Sequence, residues 1–295
     1  MLSVLVPIYN FDVRDFVKSL SEQSTKLDAH VEILCLDDAS DALYRQVNSE
    51  ISSLPNVTYQ ESEHNLGRSI VRNRLVEEAQ YDNLIFLDCD GKCLNDQYLE
   101  IYLDLVPNYE VIFGGRVYND EAPDDHDFYF HWYCGSNREA ILLEHRVPQP
   151  YKTFMTNNFM IRKSVYNQVK MDETLSGYGH EDTLFAIQLR KAGFTINHID
   201  NAIEHIGLEP WAIFLEKSRN GVRNLAQLIT QKKVDSSIRL VRYHALVKRF
   251  GLSPLVSVIV KWFEPQIFKN LRGPAPNLVW FDLWKLAELQ RKTPD

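Results

Sequence analysis

From Ser3 to about His205, short apolar and often β-branched runs alternate with segments of helical periodicity, and after Pro210 only the helical pattern continues. Strands that return to their sheet through covering helices produce such an alternation, so residues 1–206 read as an α/β domain and residues 207–295 as an α-helical extension. The expected strands are Ser3–Ile8, Val31–Leu36, Val57–Glu61, Leu84–Leu87, Val111–Tyr118, Phe159–Ile161 and Thr195–Ile199. Helices are expected over Asp12–Glu22, Ala42–Ser53, Arg68–Ala79 and Asp182–Ala192, the last closed by Gly193. With 295 residues, 45% of them hydrophobic, the chain can bury a substantial core.

Charge separates the same two parts. Residues 1–206 carry 17 basic and 33 acidic side chains, whereas residues 207–295 carry 15 and 7, net −16 against +8. A basic tail on an acidic body suits nucleic acid, an anionic membrane or the body itself. No basic segment followed by an apolar one opens the chain, and Ser3–Pro7 is already strand-like, so a cytoplasmic protein is expected. Cys35, Cys89, Cys93 and Cys134 are scattered, and Cys89 and Cys93 lack a second pair to complete a zinc site; reduced thiols are expected.

Chemistry concentrates where apolar runs end. In Leu84-Ile85-Phe86-Leu87-Asp88-Cys89-Asp90 the two carboxylates fall on the same side of an extended chain, because side chains alternate with period two. Hard oxygen ligands at that spacing suit Mg²⁺ or Mn²⁺, whose shell is commonly completed by water and substrate phosphates. The run preceding Asp37-Asp38 ends in acids as well, and Val6-Pro7-Ile8-Tyr9-Asn10 ends in a proline and an aromatic. Asp38 can accept a nucleobase N–H while Tyr9 offers a stacking face. Asn65-Leu66-Gly67 leads into a helix that places Arg68 and Arg72 one turn apart, suited to phosphates or base edges. Further on, Ser176-Gly177-Tyr178-Gly179-His180-Glu181-Asp182-Thr183 delivers two carboxylates to a helix start, where they can cap, or where Asp182 can act as a general base. His205 ends another short strand.

Taken in order, LSVLVPIYN, LCLDDAS, NLGRSIVRN, IFLDCD, NNFMIRK, GYGHEDTLFAIQLRKAG and IEHIG resemble the family 2 glycosyltransferases of GT-A fold, a Rossmann-like architecture with a mostly parallel central sheet flanked by helices. The resemblance covers about the first two thirds of the chain. It implies a nucleotide-sugar donor, by family frequency a UDP-sugar, bound by Pro7, Tyr9, Asp38, Arg68, Arg72 and Asp88. It implies Mn²⁺ or Mg²⁺ on Asp88 and Asp90, the DXD motif, with His205 as a third ligand. Asp182 corresponds to the catalytic base of an inverting transfer and Glu181 to an acceptor-binding or capping residue, while Asn157 and Asn158 could contact donor-sugar hydroxyls. The acceptor implied is a glycan or lipid-linked hydroxyl, as in surface polysaccharide biosynthesis, and nucleic acid is not an expected partner.

Other readings compete. LDCDGK also resembles the loop of haloacid-dehalogenase-type phosphatases, with Asp88 as nucleophile, but Lys92 stands where threonine is expected and most of a domain precedes the motif. A calcium-binding EF-hand loop would need its glycine two positions later, and a nicotinamide site would need a glycine fingerprint after the first strand. An inactive sugar-binding scaffold would retain the fold without the chemistry. In the tail, Asp235-Ser236-Ser237 precedes an expected helix over Ile238–Phe250, and the apolar run Leu252–Phe263 falls short of the ~20 residues that span a bilayer. Residues 235–295 are expected to dock on the catalytic domain or to lie on an anionic membrane, peripheral on its inner face.

Overall fold

A computed structural model describes residues 1–175 and 177–293; Ser176, which opens the glycine-bearing loop, and the last two residues of the tail lie outside the described residues. The strands are β1 (Leu2–Ile8), β2 (Val31–Asp37), β3 (Val57–Glu61), β4 (Asn83–Leu87), β5 (Gly91–Cys93), β6 (Val111–Phe113), β7 (Arg116–Val117), β8 (Asn158–Arg162), β9 (Asn197–His198) and β10 (Ile203–His205). Up to β9 the helices are α1 (Arg14–Ser24), α2 (Ala42–Asn48), α3 (Arg68–Glu78), α4 (Tyr98–Leu105), α5 (His126–Arg138), α6 (Leu143–Arg146), α7 (Lys163–Val169) and α8 (Glu181–Lys191). After β10 come α9 (Trp211–Thr230), α10 (Arg239–Arg249), α11 (Ser253–Leu271) and α12 (Leu278–Lys292).

One sheet runs in the order β3-β2-β1-β4-β8-β6-β9. Its β1, β2, β3 and β4 are mutually parallel, as are β6 and β9, while β8 lies antiparallel between β4 and β6. Both faces are covered, which is why its strands read as nearly continuous apolar runs. Alternation along β1 sends Leu5 into one cluster with Phe86, Phe113, Phe159 and Tyr166, and Val4 and Val6 into the other with α1 and α4 residues such as Val17, Leu20 and Leu99. Phe86 and Phe159 stack across the strand pair with centroids 4.7 Å apart.

A second sheet, β5-β10-β7, was not expected. It arises because the single run expected over Val111–Tyr118 breaks at Gly114-Gly115. Gly115 has φ +100°, and a Cβ on Gly114 would lie 2.4 Å from the Asn201 carbonyl. The expected helix over Ala42–Ser53 likewise divides, its end tightening into a 3₁₀ turn over Ser49–Ser53.

Contacts divide the chain into two compact units, Met1–Asn119 with Glu139–Ser176 and Phe185–Gly207, and Asp120–Arg138 with Gly177–Leu184 and Leu208–Asp295. The second unit gathers α5 and the loop bearing Glu181 and Asp182 with the C-terminal helices. Within the second unit, Phe130 of α5 packs with Trp211, Leu215, Leu271, Phe281 and Trp284. The expected tail helices are α10 and α11, with Asp235 Oδ1 accepting the Ser237 N–H at 2.8 Å ahead of α10. Among the described residues, no helix is long and apolar enough to cross a membrane.

Candidate active site

β4 ends at Leu87, and the chain turns through Asp88, Cys89 and Asp90 into β5, with the Gly91 N–H donating to the Asp88 carbonyl at 3.2 Å. The Asp88 N–H donates to the Asn157 carbonyl at 3.0 Å, tying the turn to the start of β8. Its carboxylate faces two guanidinium groups. Arg72 of α3 donates to Oδ1 at 2.5 Å, and Arg116 of β7 lies 3.5 Å from Oδ2. Arg116 in turn reaches Glu139 Oε2 at 2.8 Å, which the Tyr118 hydroxyl also meets, at 2.7 Å. Burial opposes the charge on Glu139, but Arg116 and Tyr118 outweigh it and hold the carboxyl below its usual range.

Asp90 faces His205, Oδ1 to Nδ1 3.2 Å. Burial would raise the Asp90 pKa, yet the His205 ring, with Arg116 and Arg68 beyond it, leaves it well below the ordinary carboxylate range. The chain leaving β10 passes directly over this carboxylate: the Ile206 N–H donates to the Asp90 carbonyl at 2.9 Å, and a Cβ on Gly207 would sit 2.5 Å from Asp90 Cβ. Glycine at 207 therefore keeps the Asp90–His205 pair closed.

Of the expected ligand set Asp88, Asp90 and His205, the last two face each other while the Asp88 carboxylate lies against Arg72 and Arg116. Among the described residues no group of three or more His, Cys, Asp or Glu side chains is arranged to hold a metal. The Asp90–His205 pair does fit a divalent ion, with one hard oxygen and one imidazole side by side and an Asp90 Oδ1 that makes no well-formed hydrogen bond.

Several expected donor contacts also have other work. Arg72 is buried against Asp88 and donates to the Arg68 carbonyl. Asp38 accepts the Leu66 and Gly67 N–H groups at 2.6 and 2.9 Å, fixing the turn into α3, where Gly67 has φ +89°. Burial pushes its pKa up despite those bonds. Asn158 is fully committed within the fold: Oδ1 accepts both Tyr98 and Tyr102 hydroxyls, and Nδ2 donates to the Gly115 and Asn201 carbonyls. Asn157 differs sharply, being 3% exposed with neither side-chain N nor O hydrogen-bonded within the protein. Pro7 lies in β1 opposite Leu36, Tyr9 follows β1 with 53% exposure, and Arg68 opens α3.

Glu181 and Asp182 belong to the second unit. Glu181 Oε2 accepts the Gly179 N–H of the preceding loop at 2.9 Å, and Asp182 Oδ1 accepts the Thr183 N–H at 2.6 Å in the first turn of α8. The loop before them is fastened to α9. Asn224 Nδ2 donates to the Tyr178 and Gly179 carbonyls at 3.2 and 3.1 Å, and a Cβ on Gly179 would meet Gly221 Cα at 2.8 Å. Cys35, Cys89 and Cys93 are free thiols, and burial pushes Cys89 and Cys93 up to about 12.

The model of the family described as Glycosyl transferase family 2 matches residues 3–170. The chain belongs to that family. A relative from Bacillus subtilis that carries the name teichuronic acid biosynthesis glycosyltransferase TuaG is 30% identical over 129 residues, 42% of this chain and 49% of the relative, so the chain spans about half the length of the curated relative it matches. Among solved structures, the mannosyltransferase PcManGT from Pyrobaculum calidifontis in complex with GDP-Man and Mn²⁺ aligns with TM-score 0.57 and 12% identity over 99% of this chain and 86% of that one. Glucosyl-3-phosphoglycerate synthase from Mycobacterium tuberculosis, in complex with Mn²⁺, UDP and glucosyl-3-phosphoglycerate, aligns with TM-score 0.54 and 14% identity over 80% and 81%. The fold is the expected GT-A architecture with additional C-terminal helices. For a family 2 glycosyltransferase the phosphatase reading lapses, and Asp88, its would-be nucleophile, lies between two guanidinium groups.

Proposed function

We propose that the chain transfers a sugar, with inversion, from a nucleotide-diphosphate donor to a hydroxyl of a glycan or lipid-linked acceptor in surface polysaccharide assembly, with UDP as the favoured nucleotide and a divalent metal required. The observation that carries the reading is the Asp90–His205 pair at the end of the Asp-x-Asp strand in a family 2 chain. Mn²⁺ or Mg²⁺ held there would neutralise the charge that develops on the departing diphosphate. The relatives solved with Mn²⁺ and a nucleotide support that requirement.

The chain's own residues divide the remaining work. Tyr9 offers its exposed ring to the base, and the Asp38 carboxylate, though it accepts two backbone N–H groups, keeps lone pairs for a base N–H. Arg68 brings positive charge to the phosphates. Asn157 presents an amide whose donor and acceptor would both be satisfied by sugar hydroxyls; leaving a buried amide unsatisfied costs about 1–3 kcal/mol. Arg72 and Arg116 fix the Asp88 carboxylate so that the turn leading to Asp90 keeps its shape. As the acceptor oxygen bonds to the anomeric carbon, the bond from that carbon to the diphosphate oxygen breaks and Asp182 takes the acceptor proton.

A panel of nucleotide sugars, assayed for free nucleotide with and without Mn²⁺, tests the reading. Metal-dependent release from a nucleotide sugar is expected. Binding of a sugar without turnover would point to a scaffold, and cleavage of simple phosphomonoesters would contradict the transfer reaction outright.

A further inference from the structure

Helix α11 is apolar on two opposite sides. Val260, Ile267 and Leu271 are buried, Ile267 and Leu271 in the cluster that holds Trp284. On the other side Leu255, Val258, Ile259, Trp262 and Phe263, spaced i, i+3, i+4, i+7 and i+8, form an outward stripe whose members are 46 to 81% exposed, Trp262 the most. The helix before it repeats the device on a smaller scale, exposing Tyr243, Leu246 and Phe250 on successive turns. Isolated exposed apolar residues are ordinary; a contiguous stripe of this size marks a surface that meets something.

The charge around the stripe identifies the partner. Residues 236–263 contain five basic and no acidic side chains. Arg239 is engaged by Asp282, but Arg242, Arg249 and Lys261 are exposed beside the apolar positions. Long basic side chains can lay their stems along apolar surface and lift their charges to phosphate level, and Trp and Tyr favour the interface itself. At 19 residues with Pro265 inside, α11 does not qualify as a span, and its inner face is already committed to the protein core.

We infer that the stripe of α11, with α10, docks in the plane of an anionic lipid bilayer, inserting Trp262 and Ile259 among the acyl chains while Arg242, Arg249 and Lys261 meet the headgroups. The charge asymmetry of the chain pointed to such a surface; the outward stripe supplies what charge alone lacks, a part that inserts. This inference does not depend on the transfer reaction.

The full chain, mixed with vesicles of equal parts phosphatidylglycerol and phosphatidylcholine, should co-sediment at low salt and release as salt is raised, and should not co-sediment with phosphatidylcholine alone. The double variant Ile259→Ser/Trp262→Ser, whose sites are exposed, should keep the thermal midpoint and lose at least about tenfold in partition. Arg242→Glu/Arg249→Glu should lose binding as well, each reversed charge counting for about fivefold or more. Failure of the wild type to sediment, or equal sedimentation of the serine variant, overturns the inference. So does a concentration-dependent dimer that the serine variant abolishes while neither protein binds vesicles, since a second copy would then cover the stripe. Nucleotide release is read from the same preparations, so loss of either property is told apart from loss of the other.

Discussion

Arg72 Nη2 lies 2.5 Å from Asp88 Oδ1, and the guanidinium that makes this contact is 2% exposed. Arg72 is part of the fold's interior, and replacing it strips Asp88 of its short ion pair, leaving only the 3.5 Å contact to Arg116. Arg72→Met should therefore lower unfolding stability by about 3 kcal/mol, measured by urea denaturation. A phosphate-binding Arg72 would instead leave stability unchanged and raise only the donor KM.

Two adjacent asparagines should behave in opposite ways. Asn158→Ala takes from the core the amide that accepts the Tyr98 and Tyr102 hydroxyls and donates to the Gly115 and Asn201 carbonyls, and a loss of about 3 kcal/mol is expected in denaturation. Asn157→Ala removes an amide with no protein partner, so stability should stay within about 0.5 kcal/mol while donor affinity, read by calorimetry, falls about tenfold.

The loop before α8 separates two glycines that face each other. Gly179 has φ +101° and no room for a Cβ, whereas a Cβ on Gly221 would make ordinary contacts at 3.9 Å. Gly179→Ala should displace Glu181 and Asp182 and reduce turnover by up to about 100-fold, and Gly221→Ala should leave it within about twofold. Asp182→Asn should keep donor affinity and lose about 1,000-fold in turnover, in the same assay of nucleotide release.

Acid should weaken the fold through His198. Burial pushes this histidine from 6.5 down to about 4, although its Nε2 meets the Pro150 carbonyl at 2.9 Å. The unfolded chain therefore takes up the proton first, so the contribution is complete above 6.5 and is lost as pH falls toward 4. With the ring only partly shielded, about 1 kcal/mol should disappear between about pH 7 and pH 5, and His198→Gln should flatten that part of the urea-midpoint profile.

The layout of the first unit was legible because both faces of its large sheet are covered, so its longer strands announce themselves as apolar runs and its helices by their spacing. In the second sheet the short strand ending at His205 was legible, but Gly91–Cys93 was not, since three residues leave no periodic signal. Asp88, Asp90 and His205 could be picked out as chemical residues, but their partition could not. That Arg72 and Arg116 claim Asp88 depends on the break at Gly114-Gly115, which swings Arg116 into the second sheet; the paired glycines were the available sign. Asn157 and Asn158 are indistinguishable by type and position in the chain, and only the tyrosines of α4 tell them apart.

The most direct test of the central claim is a calorimetric titration of Mn²⁺, in the presence of UDP, into the wild type and the Asp90→Ala and His205→Ala variants. Nucleotide-dependent Mn²⁺ binding by the wild type, weakened at least about tenfold in each variant, is the predicted result. Equal Mn²⁺ affinity in all three proteins would contradict it.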